Sequence, residues 1–312
     1  MRRLALFLLV ITFVPMEFMR ASGSSGVYPA ISGADRQSSG PAIELPLKPN
    51  SVRFAVIGDS GSGDQSQYDI AHEMETAREK FPFSFVIMLG DNITGGNSPR
   101  DFQKKFDEPY KPFLDAGVKF YASLGNHDQT NERLYKPFHM DGKRYYVFKQ
   151  GNVSFFALDS NYMDPEQIDW ITKQLQSSDS TWKICFFHHP LYSDGRSHGS
   201  DMDLRHLLEP IFVQNGVNVV FSGHDHVYER IKPQQGITYF VEGSSGHLRY
   251  HNLHHASELA AGFDTDRAFM LVEVAGNQLY FQAISRTGQT VDAGTIERQS
   301  KNKLTGALSR QK

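Results

Sequence analysis

The sequence predicts an α/β fold with mixed sheets, on three observations. Short apolar runs alternate with helical patterns from Val52 onward, the first strand–helix–strand unit is long enough to require parallel pairing, and two later pairs of runs turn on tight glycine loops. The first run, 52–57, leads into a helix over 65–80 and then a second run, 84–89. Asp64 is placed to cap that helix with Gln67 three residues on, and Ile70, Ala71, Met74 and Ala77 recur at helical spacing. A helix near 101–115 and a strand at 118–123 follow. Runs 145–149 and 153–158 flank Gln150-Gly151-Asn152 and read as a hairpin. The pattern continues with a helix at 165–176, a strand at 183–187, a helix at 202–214 and strands at 217–221 and 237–241. It ends in a hairpin of 269–274 and 278–284 turning on Gly276-Asn277.

Composition narrows the function classes. Hydrophobic residues make up 39% and charged residues 21% of 312, which excludes a disordered chain. A net charge of −3 carries no basic surplus, so no nucleic-acid partner is expected. The single cysteine, Cys185, excludes both an intrachain disulfide and a thiolate zinc site, whereas 13 histidines leave nitrogen and oxygen ligation open. Residues 1–21 read as an export signal: Arg2 and Arg3 precede the apolar run 4–14, and small residues Ala21 and Ser22 follow. That run is too short to span a bilayer, so a secreted or periplasmic protein with no stable membrane partner is expected after signal removal. Residues 22–50, rich in Gly, Ser, Pro and Ala, read as a flexible linker. One domain is expected over 51–285, and 286–312 read as a weakly ordered tail.

Five polar clusters each follow an apolar strand: Gly58-Asp59-Ser60-Gly61, Gly90-Asp91-Asn92, Gly125-Asn126-His127-Asp128, His188-His189-Pro190 and Gly223-His224-Asp225-His226. Taken singly, a Gly-Asp or Gly-Asn pair is an ordinary turn. In an open α/β sheet, however, the carboxyl ends of the strands form a common rim where ligands bind, so the five are expected to converge. Carboxylate, amide and imidazole donors together favour Fe, Mn or Zn over calcium.

With those motifs, GDSG, GDN, GNHD, HHP and GHDHVYER, the chain resembles the calcineurin-like metallophosphoesterases, most closely their purple acid phosphatase-like branch, over about 51–285. The resemblance implies an αββα sandwich of two mixed β-sheets flanked by helices, two metal ions and a small phosphorylated substrate. It implies that Asp59 binds the first metal, that Asp91 bridges both, that Asn126, His188 and His224 complete the second, and that His226 returns to the first. His188 rather than His189 matches, because the family ligand lies two residues before proline. His127 and His198 match the histidines that contact the phosphate and the leaving group, with Asp128 as an orienting carboxylate for His127. The implied reaction is direct in-line attack by a metal-bound hydroxide, with His198 or His127 protonating the leaving oxygen.

The chain departs from the family at one point. The purple branch carries a tyrosine three positions after the bridging aspartate, where this chain has Thr94, and the alternative family histidine two residues after the first aspartate is here Gly61. The expectation is a colourless protein whose first metal is completed by water. The thinned site also keeps a catalytically silent binding protein in view, and a phosphodiesterase would use the same metals. Other residues read blandly: His189 as a packing or rim residue, His206 as structural or exposed, Cys185 as core, Tyr228, Glu229 and Arg230 as braces, and His247, His251, His254 and His255 as a solvated loop, with substrate-rim contacts or an adventitious metal site as the alternatives for that run.

Overall fold

The computed structural model describes residues 40–298; the expected export signal, most of the linker and the last part of the expected tail lie outside the described residues. In chain order the strands and helices are β1 (Val52–Ile57), α1 (Gln65–Lys80), β2 (Phe85–Met88), α2 (Pro99–Phe102), α3 (Lys111–Asp115), β3 (Lys119–Ala122), β4 (Tyr146–Gln150), β5 (Val153–Ala157), α4 (Pro165–Ser177), β6 (Trp182–Phe186), α5 (Met202–Gln214), β7 (Val219–Ser222), β8 (Tyr228–Ile231), β9 (Thr238–Glu242), β10 (Leu259–Phe263), β11 (Ala268–Ala275), β12 (Gln278–Ser285) and β13 (Thr290–Glu297). They form a six-stranded sheet, β13-β12-β11-β1-β2-β3, and a seven-stranded sheet, β10-β8-β9-β7-β6-β5-β4. Both are mixed. The parallel strands β1, β2 and β3 lie together in one sheet, and β5, β6, β7 and β9 lie together in the other.

Side-chain alternation explains why the strands read as unbroken apolar runs. Along β6, Ile184 and Phe186 join the core between the sheets, while Cys185 and the following Phe187 join the cluster beneath Ile171, Leu175, Leu208 and Phe212 of α4 and α5. Cys185 is thus a buried packing residue, as expected. Aromatic rings interlock across the sheet interface: Phe54 of β1 meets Phe155 of β5 edge-on at 5.2 Å, and Phe85 of β2 meets the same ring at 5.3 Å. On the outer side of the first sheet α1 buries Ile70, Ala71, Met74 and Ala77. The layers are therefore the expected αββα sandwich.

Several local features differ from the sequence reading. The predicted helix over 101–115 is broken into α2, a π turn at Gln103–Asp107 and α3, and α3 carries Pro112, which has no N–H to continue a helix. Asp64 caps α1 by accepting from the Ser66 and Gln67 amides, but Gln67 turns its side-chain oxygen to Gly63 N instead of completing a capping box. Residues 40–50 are not a free linker. Leu45 is buried, and the Leu47 and Lys48 amides donate to the Glu273 carboxylate on β11. Nor is the segment after 286 a tail throughout, because β13 pairs along β12 for its whole length. Its Asp292 accepts from Tyr228 Oη and from Nε and Nη2 of Arg230 on β8, joining the edge strand of one sheet to the second strand of the other.

Candidate metal centre

The parallel strands of both sheets end at one place. Asp59 follows β1, Asp91 follows β2, Asn126, His127 and Asp128 follow β3, His188 follows β6, and His224 and His226 follow β7. Turning these side chains inward requires unusual backbone: Asp59, Asp91 and His224 hold left-handed φ values of 50°, 51° and 72°. Glycines let the loops close on the carboxylates. A Cβ on Gly125 would lie 2.2 Å from Asp91 Oδ1, and one on Gly223 would lie 2.5 Å from Asp59 Oδ2.

Backbone amides then fix the carboxylates. His224 N donates to Asp59 Oδ2 at 2.8 Å, and His127 N donates to Asp91 Oδ1 at 2.9 Å. Two groups of donor atoms result, each within 4.8 Å: Asp59, Asp91 and His226 in one, His188, His189 and His224 in the other. His226 Nε2 is 3.3 Å from Asp59 Oδ1, and His188 Nε2 is 3.6 Å from Asp91 Oδ1, so Asp91 lies between the groups. Asn126 joins the second group, its Oδ1 2.9 Å from His188 Nε2.

The protonation pattern of these groups leaves positive charge wanting. His188 Nδ1 sits 2.9 Å from the Leu89 carbonyl oxygen, which can only accept, so Nδ1 carries the proton and Nε2 turns its lone pair to Asn126 Oδ1 and Asp91 Oδ1, both acceptors, with His224 Nδ1, which can donate to it, 3.1 Å away. Burial, reinforced by His189, holds the His188 imidazole well below its usual range. Burial and then His188 push His224 down to about 2, while burial and then Arg249 push His226 down to about 4. Burial and the neighbouring Asp91 raise Asp59 well above the carboxylate range, and its Oδ1 is buried with no hydrogen-bond partner. Neutral imidazoles, an unpartnered carboxylate oxygen and facing lone pairs all gain from a cation, so the donor set fits metal ions.

The remaining expected residues are placed as follows. His127 and His198 are exposed at the rim, and the His198 ring lies 4.0 Å from that of His224. Asp128 does something other than orient His127. Its oxygens accept from Asn92 N, Ile93 N, Gly125 N and Asn92 Nδ2, all at 2.7–3.0 Å, stapling the loop after β2 to the loop after β3. Of the residues read as braces, Glu229 accepts from Ser193 Oγ and Asp194 N, which holds the loop leading to His198. Thr94 is pinned by its backbone, with N donating to Gly61 O at 3.1 Å, and its hydroxyl is buried without a partner. A Cβ on Gly61 would lie 2.2 Å from the Asn92 carbonyl oxygen, so this loop excludes a larger residue there.

Four residues acquire importance that the motifs did not signal. His189, read as packing, places a ring nitrogen in the second donor group while Nδ1 pairs with Ser160 Oγ at 2.8 Å. Asp225 accepts from Ser193 Oγ, His198 N and Gly199 N, fixing the His198 loop to the His224 loop. Arg249 places Nη2 3.1 Å from His198 Nε2. His247 stacks on His226 at 5.2 Å and 27°. The middle aspartate of GHDH and the second histidine of HHP stood inside the motifs; Arg249 and His247 required tertiary placement.

Comparison with known proteins gives the family. The family model for calcineurin-like phosphoesterases matches residues 52–228. Purple acid phosphatase 7 of Arabidopsis thaliana is 31% identical over 235 residues, covering 63% of this chain and 70% of the relative. Among solved structures, the purple acid phosphatase PPD1 of yellow lupin (Lupinus luteus) superposes with a TM-score of 0.68 at 18% identity, covering 83% of this chain and 56% of that one. The GAP50 anchor of the Plasmodium inner membrane complex superposes with a TM-score of 0.69 at 20% identity, covering 84% and 94%. At those identities the two structures speak to the fold alone. Because the family model spans more than half of the sequence and the plant enzyme is matched over most of its length, the chain belongs to the calcineurin-like phosphoesterases, in their purple acid phosphatase-like branch, and is a metal-dependent phosphatase.

Proposed function

We propose that the chain is an exported phosphomonoesterase with a dinuclear metal centre, in which Asp59, Asp91 and His226 hold one cation and Asp91, Asn126, His188 and His224 hold the other. The observation that carries this reading is that two donor groups meet across Asp91, one holding the buried Asp59 Oδ1 without a hydrogen bond and the other the buried His188 Nε2 turned towards Asn126 and Asp91. Fe, Mn or Zn suit such nitrogen and oxygen donors. Bound cations would supply neutralisation of the phosphate and an acidified water as the nucleophile.

The chain's own residues supply the rest. Asp91, held at Oδ1 by the His127 amide, sets the relation between the two donor groups. Asp128 and Asp225 keep the loops of both sheets in register, so the ligands are pre-positioned rather than gathered by the metal. Arg249 Nη2 can only donate, so His198 Nε2 accepts from it and His198 stands neutral; burial lowers its affinity for a proton as well. We therefore assign proton delivery to the leaving oxygen to His127. The His198–Arg249 pair is left to receive the non-reacting phosphate oxygens. A guanidinium at that rim favours a dianionic monoester over a diester. The apolar run 4–14 behind Arg2 and Arg3, together with the single cysteine, supports export.

The test compares nitrophenyl phosphate with bis-nitrophenyl phosphate on the metal-loaded protein. A kcat/KM at least tenfold higher for the monoester is expected. A preference for the diester would replace this reading with a phosphodiesterase built on the same residues.

A further inference from the structure

The first donor group is one protein ligand short: Asp59, Asp91 and His226 stand together, while Thr94 and Gly61 occupy the two positions from which relatives of this kind supply a further side chain. We propose that His247 supplies the missing ligand to the first metal, an inference that rests on the dinuclear reading above. His247 comes from a different part of the chain, the Ser244-Ser245-Gly246-His247 loop that leaves β9.

Four observations converge on this residue. Its amide donates to the Asp59 carbonyl oxygen at 3.1 Å, so the loop is tied to the very residue whose carboxylate Oδ1 is buried without a hydrogen bond. Gly246 makes that approach possible, because a Cβ there would lie 2.5 Å from the Ser60 carbonyl oxygen, and Arg267 Nε holds the Gly246 carbonyl at 2.8 Å. The imidazole lies on His226 with ring centres 5.2 Å apart. Two imidazoles that bind one cation at about 2.1 Å in a tetrahedral arrangement hold their centres roughly 5 Å apart. Finally, His247 Nε2 is buried with no hydrogen-bond partner, a costly state for a ring nitrogen that packing alone does not account for. His251, His254 and His255, in the same stretch, are exposed.

His247 lies outside the group whose donor atoms fall within 4.8 Å of one another, so a short swing of its ring towards the cation is part of the proposal. Thr94 Oγ1 is the competing donor, since it too is buried without a partner. An imidazole in place of a tyrosinate leaves no phenolate-to-iron band, so the protein stays colourless, but with nitrogen rather than water completing the site.

The experiment measures metal content, chelator-competition affinity and, on the Cu(II)-loaded protein, the number of bound imidazole nitrogens by pulsed electron paramagnetic resonance. Wild type, His247→Ala, His247→Gln, Thr94→Val and His226→Ala are compared, with circular dichroism confirming that each is folded. Wild type is expected to bind two ions. His247→Ala and His247→Gln should lose one imidazole and weaken one of the two ions by about 10- to 100-fold or more, as His226→Ala does, while Thr94→Val leaves both readouts unchanged. Two ions with unaltered affinity and imidazole count in both His247 variants would overturn the ligand but keep the dinuclear centre. A wild-type protein that binds fewer than two ions would overturn both.

Discussion

His127 and His198 look interchangeable as rim histidines, yet their neighbours give them different chemistry. His198 Nε2 faces a guanidinium at 3.1 Å, which any proton taken up there would have to displace, whereas the exposed His127 ring follows directly on Asn126 and has its amide anchored on Asp91. A general acid matters most when the leaving alkoxide is poor, and such assistance is worth about 10²- to 10⁴-fold. His127→Ala is therefore expected to lose at least ~10-fold more kcat on alkyl phosphates than on nitrophenyl phosphate, at a rate consistent with that range. His198→Ala is expected to slow both substrates alike and to raise KM. A leaving-group series in which His198→Ala shows the steeper dependence would exchange the two roles. Neither assignment was legible in the sequence, which offered both histidines equally, because the discriminating group is Arg249, some fifty positions away along the chain.

Among the elements, the strands that escaped sequence reading share a physical cause. β10, Leu-Ala-Ala-Gly-Phe, is short, built mostly of small residues and half-buried at best, and β13 is an edge strand of mostly half-exposed residues with no apolar run. β8 is buried but holds Glu229 and Arg230, whose charges disguise it. Tertiary partners provide what the pattern lacks. Arg230 donates through Nε and Nη2 to Asp292 of β13, and Tyr228 Oη donates to the same carboxylate at 2.7 Å, with Asp292 itself largely buried. Removing an acceptor from a buried donor costs about 1–3 kcal/mol. Asp292→Ala is expected to destabilise the protein by about 2 kcal/mol in chemical denaturation, and Asp292→Asn by less, since an amide oxygen still accepts from Tyr228. A loss below about 0.5 kcal/mol in Asp292→Ala would show that the tie between the sheets is dispensable.

At the scale of the whole molecule, two sheets face each other so that the parallel strands β1, β2, β3, β6 and β7 end against one another, and the two candidate metal-binding groups lie at that junction. This much was readable, because every motif followed an apolar run and the rim of an α/β sheet is a known meeting place. The loop tethers were not readable. Asp128 and Asp225 work through backbone amides of distant loops, and hydrogen bonds to main chain leave no mark on residue type. On the proposed function these residues form one phosphatase site completed by two cations. The most direct test of that reading strips the protein of metal, adds back Mn, Fe or Zn stepwise, and follows bound metal per chain together with hydrolysis of nitrophenyl phosphate. The predicted result is negligible turnover without metal and recovery that saturates at two ions per chain, with Asp91→Asn failing to recover. Full turnover by the metal-free protein, or saturation at a single ion, would contradict it.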